Sequence, residues 1–205
     1  IPNPMHVYRT AGVLAGLGLS YGGATTEEDG VGLIFSDQGI DLSKISGDIK
    51  IVSYLQGDGD TTTDEINAAI QAAPEAFISV GMATTFFTQQ LNAAGIEFSD
   101  IDSFTKSNGE AITNGKLVYL AGKYSSSVGP AFALVMNAIN GNVIRDAQGN
   151  AVSLSQNYQV ATDSETFDKF YKNDNGDNPI YSRDTLDQII GDTVTFDTIN
   201  EVVAS

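Results

Sequence analysis

The sequence predicts an α/β fold, a parallel sheet flanked by helices, and observations within residues 74–142 predict it. Three short apolar runs in this segment are typical of buried strands: residues 76–80, 98–104 and 117–121. Each run is followed by residues with apolar side chains at helical spacing, at 84–94, in a short stretch closed by Asn114-Gly115, and at 125–139. Strands that alternate with helices favour a parallel sheet, because helices connect neighbouring parallel strands.

The residues before this segment are expected to add two helices and a strand. Apolar residues recur at helical spacing over 5–17 and over 64–73, which predicts a helix in each place. The apolar run at 49–55 predicts a strand. Residues 25–30 are polar and acidic and predict a loop, and residues 31–35 predict a short strand or one turn of helix.

The segment after residue 142 is expected to form a C-terminal α+β extension, residues 143–205, of a single domain that spans residues 1–205. Residues 143–152 predict a hairpin whose turn contains Gly149-Asn150. A strand is expected at 158–161. Three helices follow, one capped by Thr162 or Asp163 and running to Tyr171, and two short ones at 184–190 and 196–203.

The charge balance excludes some classes of partner. The 205 residues include 26 acidic and 10 basic ones, which gives a net charge of −16. A chain with so few cations cannot neutralise phosphates, so nucleic acid and anionic membrane surfaces are not expected partners. No apolar run approaches the length of a membrane span. The acidic surface is typical of a secreted protein that stays in solution.

Motifs of several enzyme classes are missing from the sequence. Neither a G-x-G-x-x-G pattern nor a P-loop occurs, and no G-x-S-x-G elbow is present. The chain has no cysteine and one histidine, His6, at the start of a predicted helix, which is too few for a histidine metal site. We therefore expect neither a resident metal nor a cofactor.

Two segments rich in oxygen-bearing side chains could be mistaken for calcium loops. In the segment 57–65, a loop that starts at Asp58 would place Thr63 and Ala69 where the EF-hand pattern needs Gly and Glu. A loop between strand and helix fits better. The polar run at 173–178 is interpreted as a solvated turn.

Candidate binding residues lie where the predicted parallel strands end. Ligands bind at the carboxyl ends of the strands in open parallel sheets. Those ends are expected near Gly81, near Asp102 and Ser103, and at Lys123. Arg9, on the first predicted helix, is a second cation in a chain with few of them, and with Lys123 it could hold hydroxyl groups or a carboxylate in a cleft.

The order of several motifs resembles the type I periplasmic binding protein family, the ribose- and galactose-binding solute receptors of ABC transporters. Residues 65–78 resemble the family's unit of a helix followed by a Pro-Asp-Ala-Ile-Phe strand. Residues 95–103 resemble the family's "Gly-Ile … Val-Val-Gly-Phe-Asp" strand, and residues 112–117 resemble its "Ile-x-x-Gly-x-Leu" step. Residues 120–129 resemble the strand and helix start that follow, and residues 9–12 resemble the "Arg-x-x-Gly-Phe" start of an earlier helix.

This resemblance implies roles for particular residues. Arg9 matches an arginine that binds sugar oxygens, and Asp102 or Ser103 matches the aspartate at the strand end near the hinge. Lys123 stands where many members have glutamine, and Gly81 with Met82 stands where they have asparagine or aspartate. The two departures imply a more anionic or differently shaped ligand than a simple sugar.

The resemblance further implies a non-enzymatic, extracytoplasmic receptor that closes two lobes on a small polar ligand and presents it to a permease. The chain matches mostly the second lobe of the family. Because the sequence starts at Ile1 and not at Met, we expect a fragment or a processed chain. A targeting segment or lipid anchor would then lie upstream of it.

Two other functions remain open from the residues alone. One is a small α/β enzyme, a hydrolase or an isomerase. The other is a non-catalytic surface domain of a Gram-positive cell. A screen for stabilisation by small solutes discriminates among these readings, because a ligand that binds the folded state raises its stability.

Overall fold

A computed structural model describes residues 3–55, 63–176 and 178–204 of the chain. Its strands are β1 (Ser20–Tyr21), β2 (Ile45–Ser46), β3 (Phe77–Ile78), β4 (Phe98–Ile101), β5 (Leu117–Gly122) and β6 (Gln159–Ala161). Its helices are α1 (Pro4–Gly16), α2 (Glu27–Asp37), α3 (Thr63–Gln71), α4 (Ala83–Phe86), α5 (Thr88–Ala94), α6 (Lys106–Thr113), α7 (Gly129–Ile139), α8 (Ser164–Asp174), α9 (Arg183–Gln188) and α10 (Phe196–Ala204). Short 3₁₀ turns lie at Leu42–Lys44 and Ser125–Val128.

The fold is mixed α/β, as predicted, with a helical share of 49% and a mostly parallel four-stranded sheet flanked by helices. The order of that sheet is β3-β4-β5-β6, and β1 and β2 form a separate antiparallel pair. Within the larger sheet β3 and β4 are parallel, with Phe77 opposite Phe98 and Ile78 opposite Ser99. The carboxyl ends of these two strands therefore lie at the same edge of the sheet.

The chain divides into two compact units. The first contains Ile1–Asp102 and Glu110–Leu120, and the second contains Ser103–Gly109 and Ala121–Ser205. Elements α1–α5 and β1–β4 thus belong to the first unit, and α7–α10 and β6 belong to the second.

The core of the first unit lies between α1 and α2. Asn3 caps α1 by accepting a hydrogen bond from the Met5 amide, and Pro4 occupies the first turn, where its missing N–H costs nothing. The apolar sides of both helices meet the β1 region in one buried cluster: Val7, Ala11, Leu14, Leu19, Tyr21, Val31 and Ile34. Burial of this cluster fixes the orientation of α1 and hence of its remaining side chains.

The loop predicted at 25–30 is wrong from Glu27 onward, because α2 begins there, whereas the helical alternative for residues 31–35 is confirmed within the same helix. Thr26 accepts a hydrogen bond from the Asp29 amide and so caps the helix. Three acidic residues in the first turn of α2 further favour a helix start at this point. The acidic run that looked like a loop is therefore the helix N-terminus.

The strand predicted at 49–55 is also wrong, since the structure assigns no strand to those residues. Ile49 is exposed, and Ile51 packs against the α1–α2 core. The apolar character at Ile51 is thus explained by its packing against helices and not by pairing in a sheet. Most of the loop expected next, residues 56–62, lies outside the described residues, and α3 begins at Thr63.

The alternating strands and helices predicted for residues 74–142 are confirmed. The strands β3 and β4 are shorter than predicted, and β5 extends one residue further, to Gly122. The helix expected at 84–94 is divided at Phe87 into α4 and α5, and it ends at Gly95 with φ of 71°, a left-handed conformation that glycine adopts readily.

The core of the second unit combines an apolar cluster with one buried amide side chain; the cluster contains Ala133, Ile189, Ile199 and Val203. Asn137 of α7 is fully buried, donates to the Ile189 carbonyl at 2.8 Å and accepts from the Gly191 amide at 2.8 Å.

Of the two caps predicted for the helix that ends near Tyr171, the structure has Asp163, whose carboxylate accepts a hydrogen bond from the Thr166 amide at the start of α8. The hairpin predicted at 143–152 is reduced to a single antiparallel bridge between Arg145 and Ala151.

The predicted polar turn at 173–178 begins inside α8, which ends at Asp174, and residues 175–176 form a turn, while residue 177 lies outside the described residues. Asp174 is engaged by the protein itself, because its carboxylate accepts hydrogen bonds from the amide and hydroxyl of Ser126. Across the described ranges, no helix is long and apolar enough to cross a membrane.

Candidate functional site

The candidate site lies in the first unit, at the carboxyl ends of β3 and β4. Arg9 projects from α1 to this edge, where its Nη1 atom donates to the carbonyl of Val80 at 2.7 Å and to that of Ile101 at 3.0 Å. The guanidinium therefore joins the ends of two parallel strands. A charged donor satisfies both carbonyls at the point where the sheet ladder stops.

Gly81 forms a small polar notch at this edge. A side chain built at Gly81 would place its Cβ 3.5 Å from Arg9 Nη1, 3.6 Å from His6 Nε2 and 3.8 Å from the Ile101 carbonyl oxygen. These are ordinary van der Waals distances, so the notch has room for a group about the size of a methyl or hydroxyl. His6 and Arg9 reach it together because residues three apart lie on one face of a helix.

The loop after β3 is held in place by buried polar side chains. The Ser79 hydroxyl accepts from the Gly81 amide at 3.0 Å and donates to the Gly81 carbonyl at 3.1 Å. Asp100 Oδ2 accepts from the Ala83 amide at 2.7 Å. Together with Arg9, these contacts fix the backbone on both sides of Met82.

Met82 itself has left-handed backbone geometry, with φ of 63°, and its side chain is 46% exposed. A methionine in this conformation is strained by on the order of 1 kcal/mol or more. The hydrogen bonds of Ser79 to Gly81 and of Asp100 to Ala83 keep the backbone in this strained conformation. Strained residues cluster at functional sites, so this loop is where a binding role is expected.

Asp100 is a fully buried acid beneath the loop. The pKa of Asp100 is raised to about 6, mainly by burial and also by the negative charge of Asp102, while hydrogen bonds from the Ser79 hydroxyl and the Ala83 amide partly offset the rise. Its second oxygen, Oδ1, is buried and has no hydrogen-bond partner among the residues that the structure describes. Asp100 thus supports the loop from below at a cost in stability, since its charge is poorly solvated.

Four of the six predicted binding residues lie at this edge: Arg9, Gly81, Met82 and Asp102. Asp102 directly follows the last residue of β4 and is half-buried. Arg9 has a role the sequence did not indicate, because its Nη1 holds strand-end carbonyls of the protein itself.

The other two predicted residues belong to the second unit. Ser103 is exposed, and its carbonyl accepts from the side-chain amide of Asn108 at 2.7 Å. Lys123 is exposed and directly follows β5, and its carbonyl accepts from the Phe104 amide at 3.3 Å.

Ser79 and Asp100 were not predicted as functional residues. A signal for Asp100 was present in the sequence, because side chains two apart in a strand share a face. Phe98 is an inward residue, so Asp100 places a carboxylate on the same buried face. A charged residue at an inward position of a buried strand is rare and deserves a structural or functional explanation.

Comparisons with known proteins give no relative for this chain: no family model, no curated protein and no solved structure matches it.

Proposed function

We propose that this chain is the ligand-binding part of an extracytoplasmic solute-binding protein that delivers a sugar or similar small polar metabolite to an ABC transporter. The observation that carries the proposal is the convergence of Arg9 Nη1, His6 Nε2 and the Ile101 carbonyl on Gly81 at a parallel-strand edge. The motif order that resembles type I periplasmic binding proteins supports it.

The chemistry of the notch favours a hydroxyl or carboxylate oxygen of the ligand. The Arg9 guanidinium brings positive charge to the notch, although its Nη1 atom already donates to the Val80 and Ile101 carbonyls, and the His6 ring borders the same space. Asp102, at the end of the neighbouring strand, supplies an acceptor for further hydroxyl groups. Sugars carry donors and acceptors on adjacent carbons, which suits such a mixed set.

The fixed loop lowers the entropic cost of binding. Ser79 and Asp100 hold the backbone around Gly81 before any ligand arrives. Less conformational freedom is then lost when the ligand binds, which raises affinity without new contacts. The resemblance also implies contacts from Ser103 and Lys123, but the proposal rests on residues of the first unit alone.

Neither alternative function is favoured by a specific observation. Asp100 has the raised pKa expected of a catalytic acid, but it is fully buried and one oxygen is bonded to the Ala83 amide, so it cannot touch a substrate. An acid that supports a binding loop fits these facts better.

A thermal-shift screen of the full chain tests the proposal. The panel contains D-ribose, D-galactose, adenosine, amino acids and small dicarboxylates. A solute at one hundred times its Kd adds about 2.7 kcal/mol to the stability of the folded protein. For a chain of this size, that corresponds to a rise in Tm of roughly 5–10 °C.

Gly81→Ala is the matched site variant. The added methyl group fills the notch at van der Waals distance from Arg9 and His6, without a clash that would unfold the protein. Gly32→Ala, in α2 with nothing within 4 Å of the new methyl, is the control. A solute that raises the Tm of the unsubstituted protein is expected to lose this effect in Gly81→Ala and to keep it in Gly32→Ala.

The contrary outcomes are equally distinct. No shift with any member of the panel would contradict the receptor proposal, and an equal shift in Gly81→Ala would place binding elsewhere. Proton NMR during incubation shows whether a stabilising solute is chemically converted by the protein. Such conversion would favour the hydrolase or isomerase instead.

A further inference from the structure

Helix α7 of the second unit carries an exposed apolar stripe. We define the α7 stripe as Val128, Phe132, Val135, Ile139 and Val143, which are 68, 50, 56, 71 and 53% exposed. Phe132, Val135 and Ile139, spaced by three and four residues, lie along one side of α7. Val128, in the 3₁₀ turn before the helix, and Val143, beyond its C-terminal end, flank them. The opposite side of α7 is packed, with Ala133 and Asn137 fully buried.

The stripe is large for a surface that faces water. These exposed fractions correspond to roughly 500 Å² of apolar surface, within the range of the largest patch on a typical monomer, and such patches often bind a partner. Two such stripes in contact would bury roughly 1,000 Å² in total. With flanking residues this approaches the size of a small specific interface.

The stripe is also neutral in an acidic protein. From Tyr124 to Ile144 the sequence has no Asp, Glu, Lys or Arg, although the net charge of the chain is −16. Two copies of the chain would repel each other over most of their surfaces. The α7 face is a place where they can approach without bringing like charges of this segment together.

We propose that the α7 stripe pairs with the same stripe of a second copy and forms a two-fold symmetric dimer. A uniform apolar stripe is complementary to itself, which a two-fold interface requires. Ala131 and Ala138 are exposed beside it and offer small side chains that let two helices approach closely. This proposal rests on α7 and is independent of the solute site.

A membrane surface fits the same stripe less well. Helices that lie in a bilayer interface usually carry Lys and Arg on their polar side. The segment 124–144 carries neither. A second copy of the chain is therefore the occupant that the residues favour.

Sedimentation velocity of the full chain tests the dimer at protein concentrations from about 1 to 500 μM. The fraction of dimer is expected to rise with concentration and also with salt, because salt screens the repulsion between two acidic copies. Phe132→Glu should weaken dimerisation at least about thirtyfold, since it places a charge in the centre of the contact. Met5→Glu, at an exposed apolar residue of α1, is the control and should leave it unchanged.

Cross-linking tests the symmetry of the contact. The chain has no cysteine, so Val135→Cys introduces a single thiol at the middle of the stripe. Near a two-fold axis the two introduced thiols approach each other and form a disulfide under mild oxidation. Met5→Cys is the control and should stay uncross-linked.

The outcomes decide the proposal. A folded chain, verified by circular dichroism, that stays monomeric to 500 μM and gives no Val135→Cys cross-link overturns it. So does a dimer that Phe132→Glu and the milder Ile139→Gln leave intact, because the interface then lies elsewhere. Binding to neutral lipid vesicles without dimerisation also overturns it, since a membrane would then be the occupant.

Discussion

Replacement of Asp100 by asparagine tests the physical account of the loop after β3. The fully buried Asp100 has a pKa of about 6 against an ordinary value of 3.8. A difference of about two pKa units corresponds to about 3 kcal/mol between the ionised and protonated forms. Asparagine keeps the shape and an acceptor for the Ala83 amide, but it carries no charge.

The sign of the pH effect follows from the direction of the shift. The folded state binds the proton of Asp100 more tightly than the unfolded state, so at pH 7 the folded protein bears the full cost of a buried carboxylate. As the pH falls through about 6 the folded state takes up the proton and this cost is relieved, completely so below the unfolded pKa of about 3.8. Between pH 7 and pH 5 the contribution of Asp100 to the free energy of unfolding therefore becomes more favourable by about 1.3 kcal/mol.

Urea unfolding at pH 7 and pH 5, followed by far-ultraviolet circular dichroism, measures this relief. The contribution is isolated by subtracting Asp100→Asn from the unsubstituted protein at each pH. Carboxylates with lowered pKa values, such as Asp37 and Asp163, occur in both proteins and cancel in the difference. A difference that does not change between the two pH values, or that changes in the opposite direction, would refute the assignment of a costly buried charge.

Two further predictions concern packing and the strand ends. Arg9→Met should lower the free energy of unfolding by about 3 kcal/mol, because two carbonyls lose a charged donor, and Arg9→Lys should restore part of the loss; a loss below about 0.5 kcal/mol in urea unfolding would contradict the role of Arg9 in joining the strands. Gly109→Ala should cost about 1–3 kcal/mol, because its Cβ would collide with the Phe167 ring, which is stacked between two other aromatic rings. Gly32→Ala should instead stabilise by about 0.5–1 kcal/mol, and equal Tm values for the two alanine variants would disprove the collision.

Much of the fold was predictable because the central segment is locally consistent. Its strand runs, helical spacing and closing glycines agree with one another, so α/β alternation around β3, β4 and β5 could be read directly. The errors fall where hydrophobicity has two explanations. Ile51 is apolar because it packs on a helical core, not because it belongs to a strand, and the sequence pattern is the same in both cases.

The candidate site was predictable in position but not in detail. The rule that parallel strands place ligands at their carboxyl ends located Gly81 and Asp102 correctly at that edge. It could not show that Arg9 bonds to strand-end carbonyls, since that depends on where α1 packs in three dimensions. Nor could it show that Ser79 and Asp100 hold the loop, because buried side-chain hydrogen bonds leave no periodic signal in the sequence.

The most direct test of the proposed site is an NMR titration of the nitrogen-15-labelled full chain with the solute panel. The measurement is the chemical shift of the backbone amides of Gly81, Met82, Ala83 and Asp102 as each solute is added. The account predicts that at least one hydroxyl- or carboxylate-bearing solute produces saturable shifts concentrated on these amides, and that Gly81→Ala removes them. Saturable shifts concentrated elsewhere, or none with any solute, would contradict the assignment of ligand binding to this strand edge.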